Sequence, residues 1–162
     1  MARSVNRLSY RTAGFQGVGA TIEKLRKFGS IGENRIKIIS ETIANEIASD
    51  AKQNISGYQD KEVAGKISDS IVVEKIRSDA FSYTVRVGEQ PMCAYVEFGT
   101  GSFVDIPPGW DKIAWQYYVN GKGYMRPYPY LYPAYYKGRR QYKKDLKDSL
   151  NYLIERFNSN SI

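Results

Sequence analysis

The sequence predicts an α+β domain in which a long first helix and a closing helix pack on one face of a small antiparallel sheet. Two apolar stripes at helical spacing and a stretch of strict alternation between them carry that reading. Ile36, Ile39, Ile43, Ile47, Ala51 and Ile55 recur at three- and four-residue steps. Tyr135, Tyr142, Leu146, Leu150, Leu153 and Phe157 do the same near the other end. Between them Phe81, Tyr83, Val85 and Val87 alternate with Ser82, Thr84 and Arg86.

The first long helix is predicted to start at Ser30. Ser30-Ile31-Gly32-Glu33 has the capping-box form, a hydroxyl for the free amides with a glutamate three residues on. Ser56-Gly57 ends it. Before it, Thr21 to Phe28 forms a short helix, and Gly14-Phe15-Gln16-Gly17-Val18-Gly19 reads as a flexible joint. No apolar strand precedes that glycine run, so it is not a phosphate loop.

Residues 58–69 read as polar connection. Ile71 and Val73 then pair with Phe81 to Val87 as a half-buried hairpin turning at Ser78-Asp79. Met92 to Phe98 is a short apolar segment closed by Gly99-Thr100-Gly101. The Asn120-Gly121 pair after an aromatic run predicts a second hairpin, an insertion over residues 102–125. Pro133 marks the first turn of the closing helix, whose opening turns Gly138 weakens. The expected organisation is a flexible basic arm at 1–20, a single domain at 21–157 carrying the insertion, and a C-terminal tail at 158–162.

Composition narrows the chemistry. With 162 residues, 42% of them hydrophobic, the chain can build one sizeable core. It contains no histidine, which removes the commonest general base and metal ligand. Cys93 is its single cysteine, so neither an intrachain disulfide nor a thiolate cluster can form. No stretch approaches the roughly 20 apolar residues that cross a bilayer, and the basic start lacks the apolar core of a secretory signal. These features argue against an enzyme, a cofactor or metal, and a membrane partner.

Charge is distributed unevenly. The net +7 concentrates in the first 30 residues and in residues 120–150, where Lys and Arg outnumber Asp eight to two. Arg3, Arg7 and Arg11 at four-residue spacing suit docking onto an acidic neighbour or DNA. Nine of the fourteen tyrosines lie between Tyr117 and Tyr142, a density that fits either contact surface or a core completed by rings. Trp110, Trp115, Tyr117 and Tyr118 are the insertion's candidate partner contacts.

The segment Ala94-Tyr95-Val96-Glu97-Phe98-Gly99-Thr100-Gly101, with Met125-Arg126-Pro127-Tyr128-Pro129-Tyr130-Leu131-Tyr132-Pro133-Ala134 downstream, resembles the hallmark of a phage family. That family is the gene-ten type of tail component, also described as tail-completion or head-tail joining protein. Ala51-Lys52 at the end of the first helix and Ala64-Gly65-Lys66-Ile67-Ser68-Asp69-Ser70-Ile71 extend the resemblance over roughly residues 15–157. Two departures stand out: the arginine-leucine part reads Lys66-Ile67 in the earlier motif, and the 102–125 insertion lengthens a link that is usually short.

The resemblance implies a structural virion protein at the neck, assembled in the host cytoplasm. It implies a homo-oligomeric ring that terminates the tail and meets portal-side connector and tail proteins, with DNA passing through its channel. Tyr95, Val96, Glu97, Phe98, Gly99, Thr100, Arg126, Pro127 and Pro133 are the positions carried over. Read physically, Gly99 and Gly101 permit a tight reversal, Thr100 bonds to local backbone, and Glu97 accepts hydrogen bonds or pairs with a cation. A catalytic Glu97 would need a partner base, and none is near in sequence. The competing class is a nucleic-acid-binding protein using the basic arm and basic closing helix, although no zinc finger, helix-turn-helix or RNA-binding signature accompanies them.

Overall fold

A computed structural model describes residues 8–76, 81–88, 91–110 and 125–159, with backbone alone for residues 8–20 and 102. The elements are α1 (Leu8–Ile55), α2 (Lys61–Ser70), β1 (Ile71–Lys75), β2 (Tyr83–Val87), α3 (Met92–Phe98), a single 3-10 turn (Gly101–Phe103) and α4 (Leu131–Asn158). This is the expected α+β arrangement, two long helices packed against a two-stranded antiparallel sheet. None of the described helices is long and apolar enough to cross a membrane.

Residues cluster into two compact units, Lys37–Asp145 and a second formed by Met1–Ile36 with Leu146–Ile162. In the first, Ile71 pairs with Val87, Val73 with Val85 and Lys75 with Tyr83. Ile71, Val73, Val85 and Val87 face the core, and Val72, Glu74, Thr84 and Arg86 are exposed, as the alternation requires. Ala48, Ala51 and Ile55 of α1 meet Ala64 and Ile67 of α2, Val96 of α3 and Ala134 of α4 in one apolar cluster. Ile43, Ala51 and Ile55 of the predicted stripe are buried, and Ile47 is half-buried.

The second unit is a two-helix arrangement. Phe28 and Phe157 meet edge to face with centroids 5.5 Å apart, Arg35 lies 4.3 Å over the Tyr152 ring, and Leu153 is buried beside Gly32.

Four expectations are corrected. Helix α1 does not begin at Ser30; it runs unbroken from Leu8, and Ser30 sits inside it. A capping box lowers the energy of a helix start without forbidding helix upstream, and a glycine such as Gly29 costs only about 1 kcal/mol. The Gly14–Gly19 run, read as a joint, therefore has helical backbone.

Residues 61–70 are helix, not connection. The Asp60 carboxylate accepts the amides of Glu62 at 3.0 Å and Val63 at 3.1 Å, and Ala64 and Ile67 bury on one side. Met92–Phe98 is likewise helical, ended by Gly99. Finally, the predicted stripe of α4 holds at Leu153, which is buried, and at Tyr142, Leu146 and Phe157, which are half-buried, whereas Tyr135 and Leu150 are exposed and Ala134 and Gly138 are buried instead.

Gly138 accounts for the inward face of the first turns of α4. A Cβ there would meet Ile47 Cδ1 at 2.7 Å and Cγ1 closer still. Its lack of a side chain lets α4 approach α1, so what looked like a weakness of the helix is a contact point.

Candidate functional site

The two motif segments, separated by the insertion in sequence, lie against one another. Tyr128 donates its amide to the Val96 carbonyl at 2.7 Å, and the Thr100 amide donates to the Met125 carbonyl at 2.9 Å. Thr100 Oγ1 accepts the Met125 amide at 2.8 Å, closing a two-bond bridge. Tyr58 packs edge to face on Tyr128 with centroids 5.4 Å apart, and the Tyr128 hydroxyl occupies the space where a side chain on Gly57 would begin.

Glu97 is the centre of this junction. Its residue is 4% exposed, and its carboxylate accepts three backbone amides: Tyr130 and Leu131 on Oε2 and Tyr132 on Oε1, each at 2.9 Å. Those donors are the free amides opening α4, and the next residue, Pro133, has no amide to satisfy. Glu97 therefore caps α4 from a helix more than thirty residues upstream, with its negative charge at the positive end of the dipole. Burial pushes its carboxyl above the usual carboxylate range, and the three amides oppose that rise.

Among the described residues, the titratable groups that interact with the Glu97 carboxylate are Cys93 and Tyr130. Both oxygens are engaged by backbone, and the nearest titratable neighbours, Cys93 and Tyr130, are themselves held protonated. Burial pushes the Cys93 thiol up to about 11 and raises the Tyr130 phenol. Among the described residues no group of Cys, Asp and Glu side chains could hold a metal ion.

Gly99 closes α3 at φ 78°, ψ −177°, a conformation reserved for glycine. A Cβ there would lie 2.9 Å from both the Phe103 carbonyl oxygen and Pro127 Cδ, and 3.0 Å from the Met125 carbonyl oxygen. Pro127 is thus the residue that the missing side chain admits. Val96 and Phe98 are buried and Tyr95 is half-buried. Arg126 is exposed, its guanidinium 5.5 Å over the Phe103 ring.

Trp110 turns inward. Its ring meets Phe98, Tyr132 and Tyr135 edge to face at 6.1, 5.6 and 5.8 Å. Trp115, Tyr117, Tyr118, the Asn120-Gly121 turn, the Ser78-Asp79 turn, Arg3 and Arg7 lie outside the described residues, and of Arg11 the backbone alone is described, in α1. Sequence reasoning missed Asn54, whose side-chain amide donates to the Tyr130 carbonyl at 2.9 Å. It also missed Gly57. Neither stands in a pattern that local spacing could reveal.

The hairpin roofs an apolar cleft of about 770 Å³, lined by Ala44 and Ile47 below and by Val85, Phe98, Trp110 and Tyr135 around it. Outside it, α4 presents a basic and aromatic face: Tyr132 stacks on Tyr136 with centroids 6.0 Å apart, and Arg140 lies 4.3 Å over Tyr136.

The family model for bacteriophage HK97-gp10, a tail component, matches residues 19–99, half of the chain. No curated protein and no solved structure matches.

Proposed function

The chain belongs to the HK97-gp10-like family of bacteriophage tail components, and from that premise we propose that it is a ring subunit at the head-tail joint. The ring completes the tail and links it to the head connector. Its work is binding, not chemistry.

One observation carries the step from tail component to ring. In the two-helix unit, Leu25 is 53% exposed on α1 and Ile154 is 50% exposed on α4, with Ile22, Ile31 and Leu150 also exposed. Large aliphatic side chains left in water on a unit with so small a core favour contact with other chains. In a ring each subunit offers one surface to the next and a different one to the previous, so every copy covers its neighbour. The inert Glu97 junction fits the same reading, since it spends the one buried carboxylate of the motif on holding α4 in place.

The test is a reconstruction of the virion neck with density assigned to this chain. A closed ring of copies between connector and tail tube is expected. A single isolated copy, or density elsewhere in the particle, overturns the proposal.

A further inference from the structure

Helix α4 carries six basic residues between Lys137 and Lys147, and they are not equivalent. Lys137 is tied to Asp50 at 2.8 Å. Among the described residues Arg139, Arg140, Lys143, Lys144 and Lys147 have no ion pair, and the first four lie within the Lys37–Asp145 unit. At 100° per residue these four share roughly 140° of the helix circumference with Tyr132 and Tyr136, and Asp145 falls on the other side.

Most surface cations are loosely held and contribute little. Arg140 differs because its guanidinium is seated on Tyr136, which also stacks with Tyr132, which Trp110 contacts in turn. The ladder fixes a planar cation at the surface before any partner arrives, which reduces the ordering cost of binding. A guanidinium has five N–H donors, so those not used on Tyr136 can meet a planar or tetrahedral anion. The Arg140 hydrogen bond and charge, with Arg139 and Lys143, hold the Tyr136 phenol below its ordinary value, a sign of concentrated positive potential. Beside the ladder runs a shallow groove of about 550 Å³ lined by Pro133, Tyr136, Arg140, Gln141 and Lys144.

We propose that this face of α4 binds the phosphodiester backbone of duplex DNA without regard to sequence, with Arg140 as its preorganised anchor and Arg139, Lys143 and Lys144 as flanking charges. The Tyr136 ring is already engaged by Arg140 and Tyr132, so its part in the proposal is to position the arginine and not to stack on bases. A duplex is favoured over an acidic protein because four unpaired cations along one helix match a regular line of phosphates.

The experiment is fluorescence anisotropy of the full chain with a labelled duplex of about 20 base pairs, from 50 to 200 mM salt, with polyglutamate as competitor. Binding is expected to weaken steeply with salt, with a log-log slope of about −3 to −4 if all four cations engage. Arg140→Gln should reduce affinity about tenfold and the slope by about one. Tyr136→Ala should weaken binding several-fold with little change of slope, because the charge remains and its positioning is lost. Tyr136→Phe should restore it. Unchanged circular dichroism qualifies each variant, and the surface changes Arg139→Gln and Lys143→Gln keep the test available if Tyr136→Ala unfolds. Absence of duplex binding at 50 mM salt overturns the proposal. So does binding that survives loss of all four cations, which would place it elsewhere on the chain. Competition by polyglutamate as effective as by unlabelled duplex also overturns it, pointing to an acidic protein surface.

Discussion

Lys37–Asp145 and the two-helix unit are built from the same two long helices, yet they build cores of very different size. In the first, α1 and α4 are joined by α2, α3 and the hairpin, and Ala51, Ile55, Ile67 and Val96 lose all contact with water. In the second, Leu153 is the one buried hydrophobic among the residues whose side chains are described, and Leu25, Leu150 and Ile154 stay exposed. An amphipathic helix needs something to cover its stripe, and two helices alone cover little of each other. The bonds of the motif lie in the first unit, and exposed aliphatic side chains occur in both, Ile38 at 63% in the first and Leu25 at 53% in the second, so the units differ in how much core they build rather than in whether apolar surface is left in water.

The sharpest way to break this division is at Glu97. Glu97→Ala leaves three buried amides without an acceptor and should cost about 3 kcal/mol or more, read as a lowered urea midpoint. Glu97→Gln keeps one oxygen for Tyr130 and Leu131 but turns an NH2 toward the Tyr132 amide, so about half that loss is expected. A variant as stable as the parent would mean that the cap is not holding α4.

Next comes Gly99→Ala, expected to destabilise by about 2–3 kcal/mol because backbone conformation and three close atoms oppose a Cβ at once. Thermal melting of the purified chain measures it. An unchanged melting temperature would show that the junction with Pro127 can relax.

In the two-helix unit the expected outcome reverses. Leu25→Lys combined with Ile154→Lys should change monomer stability by no more than about 0.5 kcal/mol, since both residues are exposed. Joined particles in a complementation assay should nonetheless fall. Normal particle yield would remove the distinction between the two units.

The smallest effect is chemical. With its thiol pushed up to about 11 by burial, Cys93 should be almost entirely protonated at pH 8 and resist iodoacetamide until the domain unfolds. Rapid alkylation of folded protein would show that the α3 contact opens locally.

Sequence by itself determined the α+β class, the in-out alternation of the hairpin strands and the inward stripe of α1, because each depends on periodicity within one element. It also carried the signal for α2, where Asp60 precedes Val63, Ala64 and Ile67 at helical spacing, although Gly65 disguised it. Resemblance to a family marked Glu97, Gly99, Thr100 and Pro127 as a set without saying what binds them. Tertiary structure alone decided that Glu97 caps α4, that Gly138 is where α4 approaches Ile47, and that Trp110 turns toward Tyr132 and Tyr135. The physical reason is common to the three: a cap, a close approach and a ring contact join residues more than twenty positions apart, and local spacing carries no record of which distant group will fill the space.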